Sequence, residues 1–448
     1  MPRRSGTISD RAPGLLLAAP ASSSGKTTAA VGLARALARS GDRVATFKVG
    51  PDYIDPAFLT AASGTPCRNL DPWAMRPETL RQIAEKSFAE ADFVVGEGVM
   101  GLFDGAADGT GSTADIAAHL GLPVVLVVSA GGMGASAGAL VRGFATHRAD
   151  IAIAGVLFNS VGSSRHEAML RNAVAPLGVP VLGTLPRDAA IALPSRHLGL
   201  VQAMEHAGLD DVIEKAADLI TTHTDIMGLR RIARPLECAS GTAAGPTLMA
   251  PIGQRIAIAH DAAFAFSYPA LLEAWQAAGA EVMPFSPLAG EGPDTSSDAI
   301  YLPGGYPELH AGTIAANDSF MTGLRQAAAH GTVILGECGG YMTLGGGMVD
   351  GRGECHAMAG LLPLETSFAE RRLSLGYRQA SLVEDGPLGA VGTRLRGHEF
   401  HYATIVDEGD AAPLFQISDA SGTSLGNAGR RAGGVMGSFV HLIDTARG

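Results

Sequence analysis

Charge is scarce in this chain. Only 17% of its 448 residues are charged while 46% are hydrophobic, which excludes a mainly disordered polypeptide. The charge that is present leans acidic. A net value of −11 with no offsetting basic stripe excludes a general nucleic-acid binder. Cysteine is equally sparse: Cys67, Cys238, Cys338 and Cys355 form no CxxC pair, and their scatter fits neither a disulfide framework nor a zinc site. Long apolar runs are missing too. The longest strongly apolar stretch is Leu122–Val128, whereas a membrane-spanning helix takes about 20 apolar residues. No short-period repeat points to a solenoid or propeller.

These absences leave a globular chain long enough for two or three domains. Arg3 and Arg4 precede an apolar patch at Leu15–Leu17 that is too short for a secretory segment. Residues 1–12 are expected to form a flexible tail, and the protein to be cytoplasmic. Through the first half, apolar runs at Gly14–Ala18, Arg43–Val49, Phe93–Gly96, Val124–Val128 and Gly155–Asn159 alternate with Ala- and Leu-rich helical stretches. Lys26–Arg39 reads as a helix ended by Ser40-Gly41. Continuous apolar strands separated by helices predict a parallel sheet covered on both faces. Residues 234–253, rich in Pro, Gly, Ala, Ser and Thr, read as a linker. Beyond it the alternation resumes, with strands at Arg255–Ala259, Glu281–Phe285, Ala299–Leu302 and Thr332–Leu335 and a helix near Pro269–Gly279. The expected fold is α/β: a phosphate-loop domain over 13–233 followed by a second α/β domain over 254–448.

Pro20-Ala21-Ser22-Ser23-Ser24-Gly25-Lys26-Thr27-Thr28 lies between the first strand and the first helix. Backbone N–H groups of such a loop cradle phosphates, with Lys26 reaching the β/γ-phosphates and Thr27 ligating Mg²⁺. Pro20 stands where GxxxxGK[ST] begins with glycine, but the strand–loop–helix context supports the assignment. Asp52 and Asp55 follow the second strand, in KVGPDYIDP (Lys48–Pro56). Glu97 and Asp104 lie in EGVMGLFDG (Glu97–Gly105), after the third. In a parallel sheet both loops emerge at the carboxyl edge beside the phosphate loop. One such Asp is usually a turn or cap residue. Four carboxylates on neighbouring loops suit Mg²⁺, which takes one or two carboxylates plus phosphate oxygens.

In the rear half, Gly336-Glu337-Cys338-Gly339-Gly340 is the cysteine form of a strand–turn–helix nucleophile elbow. The turn sets sulfur at a helix N-terminus, which favours thiolate, and aims the Gly339 N–H at a developing oxyanion. Gly305, in Pro303–Glu308 (PGGYPE), offers a second backbone donor. Cysteine needs a base, and His441 in Gly437–Leu442 (GSFVHL) is the candidate. His398-Glu399-Phe400-His401 has its histidines one residue too close for HExxH, so it is expected to pack or line a site rather than hold zinc.

With these pieces together, the chain resembles the cobyrinic/hydrogenobyrinic acid a,c-diamide synthases of corrin biosynthesis from about Gly14 to His441. The motifs that carry the likeness are KVGPDYIDP, EGVMGLFDG, CGGYM (Cys338–Met342), GHEFHY (Gly397–Tyr402) and GSFVHL. The resemblance implies a front domain similar to dethiobiotin synthetase and a rear class I, triad-type glutamine amidotransferase domain. Cys338 would attack the side-chain amide of glutamine with His441 as base and acid. ATP would convert a substrate carboxylate to an acyl phosphate that ammonia displaces, twice over. It places Ser24, Gly25, Lys26, Thr27 and Thr28 on the nucleotide, Asn159 at the adenine, and Thr27, Asp52 and Glu97 on Mg²⁺. Lys48, Asp52, Tyr53, Ile54, Asp55 and Asp104 would lie by the transfer chemistry and the corrinoid carboxylates. One departure stands out. Many triad amidotransferases carry Glu two residues after the histidine; here that residue is Ile443 and Asp444 comes one place late.

The implied partners are glutamine, ATP and a corrinoid polycarboxylate, without nucleic acid or membrane, and a homodimer is compatible with them. The metal status of the macrocycle stays open. Two other readings also stand. One is a nickel-sirohydrochlorin a,c-diamide synthase or a cobyric acid synthase. The other is a nucleotide-switched ATPase like the partitioning ATPases, which would have no use for a nucleophile elbow.

Overall fold

Leu15, Leu16 and Leu17 are wholly buried, as a strand covered on both faces requires. In the computed structural model, which describes residues 11–187, 195–196, 199–200, 202–205, 208–237 and 248–446, they lie in β1 (Pro13–Ala18). The described chain falls into two compact units. One is drawn from Met1–Trp73, Leu80–Gly105 and Gly109–Ala243, the other from Ala74–Thr79, Ala106–Asp108 and Ala244–Gly448. Residues 1–10 of the expected tail, 238–247 of the expected linker, and Cys238 lie outside the described residues.

The first unit is built on a parallel sheet. Its strands are β1, β2 (Val44–Val49), β3 (Arg68–Leu70), β4 (Phe93–Glu97), β5 (Val124–Ser129), β6 (Ile153–Val161) and β7 (Val181–Pro186), in the order β3-β2-β4-β1-β5-β6-β7. Arg234–Pro235, at the head of the stretch expected to be linker, pairs antiparallel with Gly14 and Pro13. Helix α1 (Lys26–Arg39) buries Ala29, Ala30, Val31, Leu33, Ala34 and Leu37 and ends at Ser40, whose successor Gly41 takes φ 97°. Because β2, β4 and β1 are neighbours, the loops following them leave the same edge side by side.

The second unit carries a ten-stranded mixed sheet. Five parallel strands run in the order Glu281–Phe285, Arg255–Ala259, Ala299–Leu302, Val333–Glu337, Val435–Ser438. An antiparallel part follows: Ser424–Ala432, Ala412–Ser418, Ser374–Leu382, Arg394–His401 and His441–Thr445. That antiparallel half was not expected from the sequence. Unit two also takes in Arg76 and Thr79, both bonded to the buried Asp444. Among the described residues no helix is long and apolar enough to cross a membrane.

Candidate active site

In the first unit, the turn after β1 is strained by design of its sequence. Ser23 takes φ 61° and Gly25 φ 93°. A β-carbon on Gly25 would also stand 2.2 Å from Nδ2 of Asn159, so only glycine fits. Asn159, at the end of β6, donates that Nδ2 to the Ser24 carbonyl at 3.1 Å and accepts the Ser160 N–H at 2.8 Å. Its side chain therefore braces the loop in this structure. Ser24 ties back to the Ala21 carbonyl at 2.8 Å. Lys26 donates to the Met100 carbonyl at 2.6 Å, an exposed-loop acceptor that an arriving phosphate would replace. Thr28 follows, half-buried, in the first turn of α1.

The carboxylates expected on neighbouring loops do meet. Thr27 donates its hydroxyl to Glu97 at 2.6 Å and lies 3.3 Å from Asp55. Lys48, only 3% exposed, pairs with Asp55, with Glu97 at 3.0 Å, and more loosely with Asp52 at 3.9 Å. Asp52 also closes an Asx turn just before α2 (Asp55–Ser63), accepting the N–H groups of Ile54 and Asp55 at 2.8 and 3.0 Å. Tyr53 is half-buried and Ile54 buried beside them. Asp104 stands apart from this cluster: exposed, it closes its own turn by accepting the Gly101 N–H at 2.9 Å.

Burial alone would lower Lys48, yet Asp55, Glu97 and Asp52 outweigh it and hold the ammonium well above its ordinary range. Burial pushes the Glu97 carboxyl up to about 7 against the pull of Lys48. Lys26 is lowered, by burial first and by the charge of Lys48 second. Glu97 is fully buried, and its Oε2 has no hydrogen-bond partner among the described residues. An orphaned carboxylate oxygen beside a threonine hydroxyl and two aspartates is a hard-oxygen donor set, and it fits Mg²⁺.

In the second unit, Val333–Glu337 delivers Cys338 to the carboxyl edge of the sheet in a strained turn, φ 47° and ψ −103°. The crowding there explains the glycines around it. A β-carbon on Gly340 would meet the Leu302 carbonyl oxygen at 1.9 Å, and one on Gly339 would meet the Gly305 nitrogen at 3.2 Å. Cys338 N–H donates to the Ser438 carbonyl at 2.8 Å, which registers the elbow against Val435–Ser438. The chain then turns into His441–Thr445, where His441 pairs with His398 across the ladder.

Gly304 locates the pair. The point a β-carbon would occupy lies 2.4 Å from Cε1 and 3.3 Å from Nε2 of His441, and 3.3 Å from Cβ of Cys338. Cysteine and histidine, 103 positions apart in the chain (441 − 338), thus face one small space. His398 stacks on His441 with ring centroids 4.9 Å apart and accepts or donates at 3.0 Å to the Tyr268 hydroxyl. His401 stacks on Phe439 at 4.0 Å. The GHEFHY segment lines the site, and neither histidine joins a metal-ligand cluster among the described residues.

Burial opposes the pull of the helix N-terminus toward thiolate at Cys338. Burial pushes the Cys338 thiol well up, Glu308 adds to it, and the helix that follows, Gly339–Leu344, is only 6 residues long. His441 is held well below its usual value by burial and by His398 and His401. His398 falls to about 3, through burial and the Arg378 charge. Burial thus favours the uncharged form of both the Cys338 thiol and the His441 imidazole, the pair between which one proton would pass.

Three residues in this site were not singled out from the sequence. Gly304 makes room for His441, rather than its neighbour Gly305, whose own β-carbon would strike the Ala263 carbonyl at 2.1 Å. Glu308, 6% exposed, bears on the cysteine through its charge. Glu337 is a buried acid immediately before the nucleophile. A charged residue ending an otherwise apolar strand was the one available signal for it.

Comparison with known proteins agrees with both halves. A family model of the CobQ/CobB/MinD/ParA nucleotide binding domain matches residues 15–201, and one of the CobB/CobQ-like glutamine amidotransferase domain matches residues 255–447. Among curated relatives, the hydrogenobyrinate a,c-diamide synthase of Brucella abortus is 56% identical, with 96% of this chain and 98% of that protein covered. The protein of the same name from a Sinorhizobium species is 54% identical over 97% of this chain and 99% of its own length. That of Rhodobacter capsulatus is 52% identical over 97% and 100%.

Proposed function

Since the chain belongs to the hydrogenobyrinate a,c-diamide synthase family, we propose that it amidates the a- and c-side-chain carboxylates of a corrinoid, using ATP to activate each carboxylate and glutamine as the nitrogen donor. The observation that carries this is the joint presence of two sites: a lysine- and carboxylate-lined phosphate loop, and a buried cysteine–histidine pair on a nucleophile elbow. Either alone fits many chemistries; together they fit nitrogen transfer to an activated acid.

In the second unit, Cys338 gives its proton to His441 and its sulfur attacks the amide carbon of glutamine. The backbone N–H groups of Gly339 and Gly305 receive the developing oxyanion. His441 returns the proton to the leaving nitrogen, which departs as ammonia, and water then cleaves the thioester to glutamate. In the first unit, Ser24, Gly25, Lys26, Thr27 and Thr28 hold the ATP phosphates, with Asn159 on the nucleotide side of the loop. A corrinoid carboxylate oxygen attacks the γ-phosphorus and ADP leaves. Ammonia then attacks the acyl carbon, and phosphate leaves. Thr27, Glu97 and Asp52 would hold Mg²⁺, which supplies charge neutralisation on the transferred phosphoryl group. Lys48, Asp55, Tyr53 and Ile54, with Asp104 on the neighbouring loop, serve the transfer chemistry at the corrinoid carboxylates.

The relatives' shared substrate favours the cobalt-free macrocycle. Incubation with ATP, Mg²⁺, glutamine and either hydrogenobyrinic or cobyrinic acid, followed by mass spectrometry, tests the proposal. An ATP-dependent product whose mass corresponds to two exchanges of OH for NH₂, formed faster from hydrogenobyrinic acid, is expected. No mass change with either acid, despite intact glutamine hydrolysis, would overturn it.

A further inference from the structure

His441 lacks the acid that many triad amidotransferases carry two residues later. Ile443 occupies that position and is buried. The next residue, Asp444, is already committed. It accepts from the Thr79 hydroxyl at 2.7 Å and the Arg76 backbone at 3.0 Å, and pairs with the Arg76 guanidinium at 2.9 Å. Another carboxylate is in place. Oε2 of Glu337 lies 4.0 Å from Nδ1 of His441, with the two side chains 2% and 1% exposed. Nδ1 is the ring nitrogen opposite Nε2, the one that shares the Gly304 space with Cys338.

We propose that Glu337 is the positioning residue for His441, replacing from within the nucleophile elbow the acid missing at the usual place. The proposal rests on the cysteine–histidine reading above.

Glu337 is built for this. The Tyr301 hydroxyl donates to its Oε2 at 2.8 Å and the Leu442 N–H to its Oε1 at 3.1 Å. Leu442 is joined to His441 by a peptide bond, so carboxylate and imidazole are registered to the same short stretch of strand. Each carboxylate oxygen can accept a second hydrogen bond. A spacing of 4.0 Å is longer than a hydrogen bond, and such contacts tighten when substrate is bound. The need for an anion is electrostatic. When the S–H bond of Cys338 breaks and the proton forms an N–H bond at Nε2, a fully buried imidazolium appears. A buried cation is costly unless an anion balances it. His398, stacked on the ring, is neutral and cannot. In its ionised form Glu337 neither gives nor takes a proton, so protons balance between sulfur and imidazole alone.

The test uses the full-length protein, measuring glutamate release together with amidation supported by ammonium chloride. Glu337→Gln should lower kcat for glutamine hydrolysis about 100-fold, with KM for glutamine within about threefold. Glu337→Asp should recover part of the loss. Tyr301→Phe removes one bond to the carboxylate but not its charge, and should cost less than about tenfold. Ammonium-supported amidation shows whether each variant is folded. A kcat for Glu337→Gln close to wild type overturns the proposal. So does an equal loss in Tyr301→Phe, or loss of the ammonium-supported reaction as well, since either marks a structural role. If Cys338→Ala still releases glutamate, the nucleophile assignment beneath the proposal fails instead.

Discussion

Gly304 faces His441 so closely that a β-carbon on the glycine would lie 2.4 Å from the ring's Cε1. Gly304 is not among the residues with positive φ, so its backbone tolerates alanine; the main obstacle is the ring, with Cβ of Cys338 a tighter-than-usual neighbour at 3.3 Å. Gly304→Ala should therefore fold, displace the imidazole, and lower kcat for glutamine hydrolysis by about 100-fold. A steady-state assay of glutamate release with unchanged far-UV circular dichroism checks this. Full activity would mean His441 is not held where it must act.

Glu97 is expected to matter on the other side of the chemistry. Glu97→Gln removes the buried negative charge whose Oε1 meets Thr27 and Lys48, and exchanges one carboxylate oxygen for an amide nitrogen. Amidation should fall by about 100-fold or more with glutamine or with ammonium as nitrogen source, while glutamate release persists. Loss confined to the glutamine-supported reaction would contradict the placing of Mg²⁺.

Glutamine hydrolysis should carry an acidic limb set by Glu337. Burial pushes this carboxyl up to about 7, opposed by its bonds from Tyr301 and Leu442. Raised upward, the acid is protonated below that value and charged above it, and only the charged form balances an imidazolium. Hence kcat/KM should rise with pH and level off above about 7. Other ionisable groups in the site are Tyr301, His398, His401, Cys338, Glu308 and Glu399. Tyr301 is raised well above its usual value by burial and stays neutral, and His441 is held well below its own, so neither produces this limb. Glu337→Gln should flatten it; an unchanged limb in that variant would assign it elsewhere.

Asp444 should behave as a structural residue. It is fully buried, while Arg76 is 26% exposed. Asp444→Asn should lower unfolding free energy by about 2 kcal/mol, a buried-pair cost discounted for the exposed partner. Denaturant unfolding measures that. Folded variant should hydrolyse glutamine within about threefold of wild-type kcat. A large kcat loss would return Asp444 to the role assigned to Glu337.

Much of this was legible in the residues. The phosphate loop announces itself because glycine at φ 93° and a following lysine are needed at fixed spacing. The elbow does so because Gly339 and Gly340 have no room for side chains. The antiparallel half of the second sheet was not legible. Ser424–Ala432 reads SLGNAGRRA and is mostly exposed, so its strand rests on pairing with Ala412–Ser418 rather than on an alternating apolar face. Glu337 was hidden for a different reason. Its partner is 104 positions away (441 − 337), and nothing in local sequence shows which ring its carboxylate faces. How strongly burial opposes a thiolate at Cys338 was not legible either, because a sequence shows the helix after it but not the depth at which it is buried.

The central claim is that nitrogen released at Cys338 reaches the activated corrinoid carboxylates. Supplying glutamine labelled with ¹⁵N at its amide, with ATP, Mg²⁺ and hydrogenobyrinic acid, and counting label in the product by mass spectrometry, tests it most directly. Wild type should place ¹⁵N in both new amides, and Cys338→Ala should place none while still amidating from unlabelled ammonium. Label arriving in the Cys338→Ala product, or an amidated wild-type product free of label, would contradict it.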